Sequence, residues 1–231
     1  MRGLALLLPL ALLVAGCSSP PPEAPEGPAQ LAAGDRWTET VGIDQEGQVE
    51  SDQQRRVLRT ESVELAGATY EAFVIEVLHV IEAEGHEFVS RHTQWLRTSD
   101  HALLRSDLYT SSPNGELDRS VVFDAPCKVY EWPLEVGASW SSTCSGTRTT
   151  GNETTDVSQT RHYNVTEQRR VAVGAGTFHA WSVEVRDEAS PGIGVEWYAP
   201  RACGVVKSQT TGAGPTQHLE LRDFRCASVG R

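Results

Sequence analysis

Acid–base, nucleophilic or metal chemistry would have to come from 7 histidines, 5 cysteines and 31 acidic residues, spread over 231 positions. The densest grouping is His86-Glu87, followed by His92. It lacks the His-Glu-x-x-His spacing that sets two ligands on one helical turn. On a strand, His86 and His92 share a face but stand about 20 Å apart, too far to chelate one ion without a bend. They read as exposed strand histidines. No Gly-x-Ser-x-Gly elbow occurs, nor any phosphate loop or dinucleotide fingerprint, and no strand–helix alternation exists to hold one. The scattered carboxylates read as solvating charge rather than an acid–base pair. No catalytic residue, metal or cofactor is expected, and the chain reads as a non-enzyme.

One cysteine has a different chemistry. Met1-Arg2-Gly3 precedes an apolar run from Leu4 to Ala15 broken only by Pro9. A charged start, about a dozen apolar residues and small residues at the end describe a secretory signal; spanning a bilayer needs about 20. The sequence Leu13-Val14-Ala15-Gly16-Cys17 resembles the bacterial lipobox. That resemblance implies cleavage after residue 16 and acylation of Cys17, with two or three chains giving durable attachment where one gives little. Residues 17–30 are Pro-rich and poor in large apolar side chains, which predicts an extended tether. Ser18 in place of Asp favours the outer membrane where a cell has two. The expected location is a lipid-anchored position facing the periplasm or exterior, with the membrane as partner through that lipid.

Charge narrows the partners further. The net charge of −11 becomes −12 once Arg2 leaves with the leader. This argues against nucleic acid, whose phosphates call for clustered Lys and Arg, and against an electrostatic hold on anionic lipid heads. Four cysteines remain after Cys17: Cys127, Cys144, Cys203 and Cys226. An even set in an exported chain points to two disulfides with three possible pairings. Structural zinc is disfavoured because no close Cys-x-x-Cys pair occurs.

The mature chain carries one pattern twice. Leu31, Gly34 and Trp37 recur as Leu134, Gly137 and Trp140. The run Thr69 to Val77 recurs as Thr177 to Val185, and Trp95 with Ala102 to Ser106 recurs as Trp197 with Gly204 to Ser208. Three blocks in the same order are hard to assign to converging strand patterns. Strands are predicted at Arg55–Leu65, Thr69–Ile81, Glu87–Arg97, Leu103–Thr110 and Glu116–Phe123, then at Val171–Val173, Thr177–Val185, Gly194–Tyr198, Cys203–Thr211 and Thr216–Cys226, from β-branched and aromatic runs between Gly-containing turns. The polar segment Ser145–Gln159 reads as an exposed loop extending a hairpin. No stretch has helical periodicity with caps. The expected fold is all-β and antiparallel: two tandem copies, 31–126 and 127–231, of a roughly six-stranded meander forming a curved sheet, half-barrel or barrel-like domain. Closing the last hairpin brings Cys203 opposite Cys226, which favours that pair and leaves Cys127–Cys144 across the junction of the copies.

Trp37, Phe73, Trp95, Trp140, Trp181 and Trp197 serve first as core anchors. A duplicated, strongly curved sheet can also enclose an apolar cavity, which the same six would line as ligand contacts. The second copy carries Gly137 and Trp140, then Gly176-Thr-Phe-His-Ala180, Trp197-Tyr-Ala-Pro200 and Gly204-Val-Val-Lys207. It resembles a bacterial family of secreted domains and lipoproteins of unknown function over residues 134–226, and the first copy follows more loosely. Arg201-Ala202-Cys203 departs from the pattern, where a shorter link without cysteine is expected. As an anchored antiparallel β domain on a tether it is also similar to half-barrel lipid and lipoprotein carriers of the LolA/LolB type. The function expected is non-enzymatic binding of an apolar ligand or a partner protein; a structural or adaptor module of an envelope complex and a hydrolase with an unrecognised site are the competitors. Non-reducing mass analysis of the exported domain is expected to show no free thiol, and four free thiols would reject the disulfide assignment.

Overall fold

The computed structural model describes residues 23–44, 49–83, 85–212 and 214–227; the leader and Cys17 lie outside them. Twelve strands follow one another: β1 Arg36–Asp44, β2 Val49–Leu65, β3 Ala68–Ala83, β4 His86–Arg97, β5 Leu103–Ser112, β6 Gly115–Cys127, β7 Ser139–Thr150, β8 Glu153–Val173, β9 Gly176–Asp187, β10 Ile193–Ala199, β11 Gly204–Thr211 and β12 Thr216–Arg225. A 3-10 turn at Pro200–Ala202 is the one helical element among the described residues. Each strand pairs antiparallel with the next, and β1 pairs with β12 to close the barrel. The all-β expectation holds, and of the open and closed forms it allowed, the closed one forms.

Bulges recur at matched places along the meander. A bulge interrupts β2–β3 between Val57 and Arg59, opposite Ile75 and Val74; the matching bulge in β8–β9 lies between Val165 and Glu167, opposite Val183 and Ser182. A second interrupts β4–β5 at Trp95/Leu96, and its counterpart sits in β10–β11 at Trp197/Tyr198. His101 and Cys203 hold matched positive φ values of 58° and 56°, where the chain turns between those strands. Extra residues at bulges bend a strand and raise its twist, which curls each half into part of a barrel.

The curl buries β3 on both faces. Phe73 and Ile75 point into one core with Trp37 and Val57, joined from the second half by Ala199, Ala202, Cys203, Val206 and Leu221. The alternating Ala72 and Val74 pack on the opposite side with Leu65, Trp95 and Leu104. A third cluster is built on Tyr163, Val165, Trp181, Val183, Tyr198 and Leu134. The hairpin tips fold back outside. Ala175 donates its N–H to the Leu221 carbonyl on β12, and Leu65 and Ala66 share a groove with Ser120 and Val122 of β6.

Two expectations need correction. The segment Ser145–Gln159 is not a loop but the outer ends of β7 and β8, turning at Gly151. Alternating Thr and Ser suit a strand with two wet faces, and their polarity conceals it. The stretch before Val171 likewise belongs to β8. The Pro-rich tether is docked from Ala24 onward: Pro25 accepts a hydrogen bond from the Leu134 N–H, and Ala29 donates to the Tyr198 hydroxyl at 3.2 Å. The disulfides are Cys127–Cys144 and Cys203–Cys226, with Cα atoms 5.2 and 6.4 Å apart. Their loops of 17 and 23 residues correspond to about 3 kcal/mol each in chain entropy.

Outward side chains of the strands form ion-pair ladders. Glu76 bridges Arg56 at 2.8 Å and Arg91 at 3.6 Å; Arg105 meets Asp107 and Lys207 meets Glu220. A membrane-spanning barrel carries an apolar belt at that position. The charged ladders suit an aqueous surface.

Gly146 tests the β6–β7 seam. A Cβ there would stand 2.3 Å from the Val122 carbonyl oxygen and 2.8 Å from the Phe123 Cα, both backbone atoms. Gly146→Ala is expected to cost about 1–3 kcal/mol in chemical denaturation; an unchanged midpoint would contradict this strand packing. His101 tests the core. It sits edge-on to Phe73 at 5.8 Å, and burial pushes its imidazole down to about 4. The unfolded value is about 6.5, so the fold favours the neutral ring. That contribution is complete above pH 6.5 and is lost as pH falls toward 4, at up to about 1.4 kcal/mol per unit. His101→Asn, which tolerates the positive φ, is expected to flatten this part of the stability–pH curve.

Candidate functional site

A cavity of about 740 Å³ lies between the inner faces of β4 to β8. Small-molecule sites commonly fall between about 300 and 1,000 Å³. Register explains its lining. On β6 the residues Leu117, Arg119, Val121 and Phe123 follow one another on one face. The cross-strand row through Arg119 contains Leu108 of β5 and His92 of β4, and the next row contains Val121, Ser106 and Gln94. Val121 stands opposite Arg148, and Phe123 opposite Gly146, which stands opposite Val157.

The composition changes along the cavity. Its deep end holds Leu103, Phe123, Val129, Tyr163 and the Cys127–Cys144 disulfide. Toward the hairpin end come Arg119 and Arg148, which also border a smaller pocket with Leu117 and Glu153 at the rim. Leu117 remains 40% exposed there, and Phe88, in step with His92 on β4, remains 37% exposed. The mouth is therefore partly apolar. Arg161, at the side, is held 3.5 Å from Asp187 of β9.

The six aromatic residues expected to line a cavity do not line this one. Trp37, Phe73 and Trp197 are in the first core, Trp95 in the outer cluster, and Trp181 in the third cluster. Trp140 packs beside that cluster, stacked on Tyr163 at 5.2 Å. The cause is that bulky aromatics at the bulges fill the most curved part of each half, whereas the cavity opens where β5 to β8 carry smaller and polar inward residues. Trp37 donates its indole N–H to the Ala202 carbonyl at 2.7 Å, and Trp95 donates to Glu61, so these two rings are fixed by hydrogen bonds. The residues that the sequence reading does not single out are Arg119 and Arg148, and His92 figures there only as an exposed strand histidine. A cation alternating in step with Leu117, Val121 and Phe123 was the available signal, since alternation puts all four on one face.

His92 is half-buried rather than freely exposed. Its Nε2 is 2.7 Å from the Ser106 hydroxyl. Burial, reinforced by the charge of Arg119 and opposed by Asp107, holds its pKa below the ordinary histidine value, so the ring is neutral at pH 7. His86 is exposed at the start of β4. Elsewhere inside the barrel Tyr130 donates to Glu196 at 2.5 Å. Burial raises the Glu196 carboxyl, while that hydrogen bond and the charges of Arg161 and Arg55 pull it down.

One Ser–His–carboxylate chain is present. Ser141 lies 2.8 Å from His162 Nδ1, and His162 Nε2 lies 2.8 Å from Glu188. It stands on the outer surface, where both ionisable side chains are about half exposed. Ser141 and His162 are direct cross-strand partners in the middle of the β7–β8 ladder. Backbone N–H groups of such a ladder are committed to neighbouring carbonyls, which leaves none converging as an oxyanion hole. Among the described residues no group of three His, Cys, Asp or Glu side chains is placed to hold a metal, and no helix is long and apolar enough to cross a membrane.

No protein-family model matches the sequence, and no curated protein matches it. Two solved structures are similar in fold. A candidate exported protein with a YmcC-like fold from Bacteroides fragilis is 13% identical, with TM-score 0.38, over 87% of this chain and 99% of its own. A candidate lipoprotein from Parabacteroides distasonis is 11% identical, with TM-score 0.35, over 85% of this chain and 97% of its own.

Proposed function

We propose that this chain is an envelope lipoprotein whose barrel binds an apolar ligand without transforming it. The observation that carries the reading is the cavity of about 740 Å³ with an apolar deep end and an exposed apolar mouth. Placement in the envelope rests on the lipobox at Cys17, the leader before it, and two disulfides of the kind that persist outside the cytosol. Acylation at Cys17 would set the barrel beside a source of apolar ligands.

The adaptor reading is weaker on this fold. Closure removes the free sheet edges that a strand-adding partner needs. The stretch of β8 from Glu153 to Thr160 is paired with β7 but extends beyond β9, whose ladder with β8 ends at Arg161–Asp187. It is rich in Thr and charge rather than apolar. The hydrolase reading has the Ser141–His162–Glu188 chain in its favour and lacks the electrophilic half of such a site.

The test is what the exported chain carries. Native mass spectrometry after release from the membrane is expected to show a co-purified apolar molecule in stoichiometric amount, lost in Leu108→Trp, which fills the cavity. A barrel that carries nothing and takes up no apolar molecule would sink the proposal. A fluorophosphonate probe is expected to leave Ser141 unlabelled; labelling abolished by His162→Ala would favour the hydrolase instead.

A further inference from the structure

We infer that the ligand of this cavity is an anionic amphiphile, an acyl chain with a carboxylate or phosphate head seated between Arg119 and Arg148. The inference rests on the binding reading above and names the class of molecule that site takes. The chain has a net charge of −11, yet the cavity lining contains three arginines and a histidine and no carboxylate.

The two arginines are placed to act together. Arg119 stands opposite Thr150 on the β6–β7 ladder and Arg148 opposite Val121, so they are diagonal neighbours on the inner face. Diagonal side chains of this kind start about 7 Å apart, which lets long guanidinium arms converge on one group. Neither forms an ion pair among the described residues. Arg161 differs, being taken by Asp187. Glu153 borders the same rim and pairs with neither arginine.

Two adjacent cations without a counter-charge repel each other, and Arg119 is half-buried besides. An anion between them removes the repulsion and offers both guanidinium groups the forked hydrogen bonds they favour with carboxylate and phosphate. Neutral His92, on the same row as Arg119, adds a ring N–H or an acceptor according to its tautomer. Val121 shares the row of Arg148, and inward of it lie Phe123, Val157 and Val129, which supply the wall for an apolar chain. Head and tail sites thus lie in sequence along the barrel, with the charge at the mouth and the chain directed to the disulfide floor. An all-apolar ligand would leave the two arginines uncompensated.

The experiment uses the full chain in nanodiscs of neutral phosphatidylcholine, with empty nanodiscs as background. The probe is 11-(dansylamino)undecanoate, displaced by dodecanoate, dodecyl phosphate or dodecanol, three molecules with the same chain. Dodecanoate or dodecyl phosphate is expected to displace the probe at least tenfold better than dodecanol, and the stronger of the two identifies the head. The double variant Arg119→Gln/Arg148→Gln is expected to lose that preference, leaving dodecanol binding within about twofold. Circular dichroism confirms that the variant folds, and Arg119→Lys/Arg148→Lys, which keeps the charge, is expected to retain part of the preference. Equal binding of all three chains, unmoved by the double variant, would overturn the anionic assignment and leave the apolar-ligand reading standing. No binding of probe or competitor would overturn both.

Discussion

Closure of the sheet between its first and last strands is the constraint on which the rest depends. β1 pairs with β12 along its whole length, from Arg36 opposite Arg225 to Asp44 opposite Thr216. Buried contacts hold this seam. The Trp37 indole donates to the Ala202 carbonyl, and the Arg55 guanidinium lies 4.4 Å over the Trp37 ring while bridging Glu39 at 3.1 Å. Asp35, almost fully buried, accepts the N–H groups of Ala32 and Ala227, each at 2.8 Å. One carboxylate thus ties the chain just before the first strand to the residue just after the last. The buried ion pair adds little net stability by itself, since desolvating both charges offsets their attraction. Its effect is on specificity: a slip of one residue would strand Glu39 without Arg55 or Gln53.

Twelve strands of generic pattern could form a flat sheet. Paired bulges at matched positions in the two halves explain why they do not. Each bulge lets a β2-type or β8-type strand start on the inner wall and finish folded over the outside, which is why Ala72 and Val74 are as buried as Phe73 and Ile75. The halves then diverge in how they fill the interior. Trp37, Val57, Phe73 and Ile75 meet residues from the second half and leave no space. Between β4 and β8 the inward residues include Gln94, Ser106, Ser142 and Gly146, small or polar positions that leave space beside Leu108, Arg119, Val121 and Phe123. The cavity lies where these side chains stop short of one another.

The sequence was most legible where physical pattern is most redundant. Alternation between Gly turns gives nine of the strands and the last three residues of β8. The cysteine pairing followed from folding a hairpin about Gly212 to Pro215. Closure was not legible, because β1 meeting β12 depends on curvature summed over the whole sheet and not on any local run. The β7–β8 hairpin was hidden by its Thr and Ser content, which suits a strand with water on both faces as well as it suits a loop. The six expected aromatics stay out of the cavity lining for a physical reason. Tryptophans attract attention as ligand platforms, but a strongly bent sheet needs its largest side chains at the bends, and there Trp95 and Trp197 are used up. Arg119 was readable as an inward cation only once Leu117, Val121 and Phe123 were taken together as one face.

The junction of the halves is also where the cavity is bounded. Cys127 closes β6 and Cys144 lies in β7, so their bond crosses the one ladder that joins the first copy to the second in chain order. The same pair forms part of the cavity lining. Gly146, two residues on, lets the β6 backbone approach closely at the level of Phe123. Bond and close approach together extend the β6–β7 seam beyond the end of its ladder, which runs from Arg119–Thr150 to Phe123–Gly146. The disulfide that staples β6 to β7 also forms part of the cavity wall, at the end away from Arg119 and Arg148.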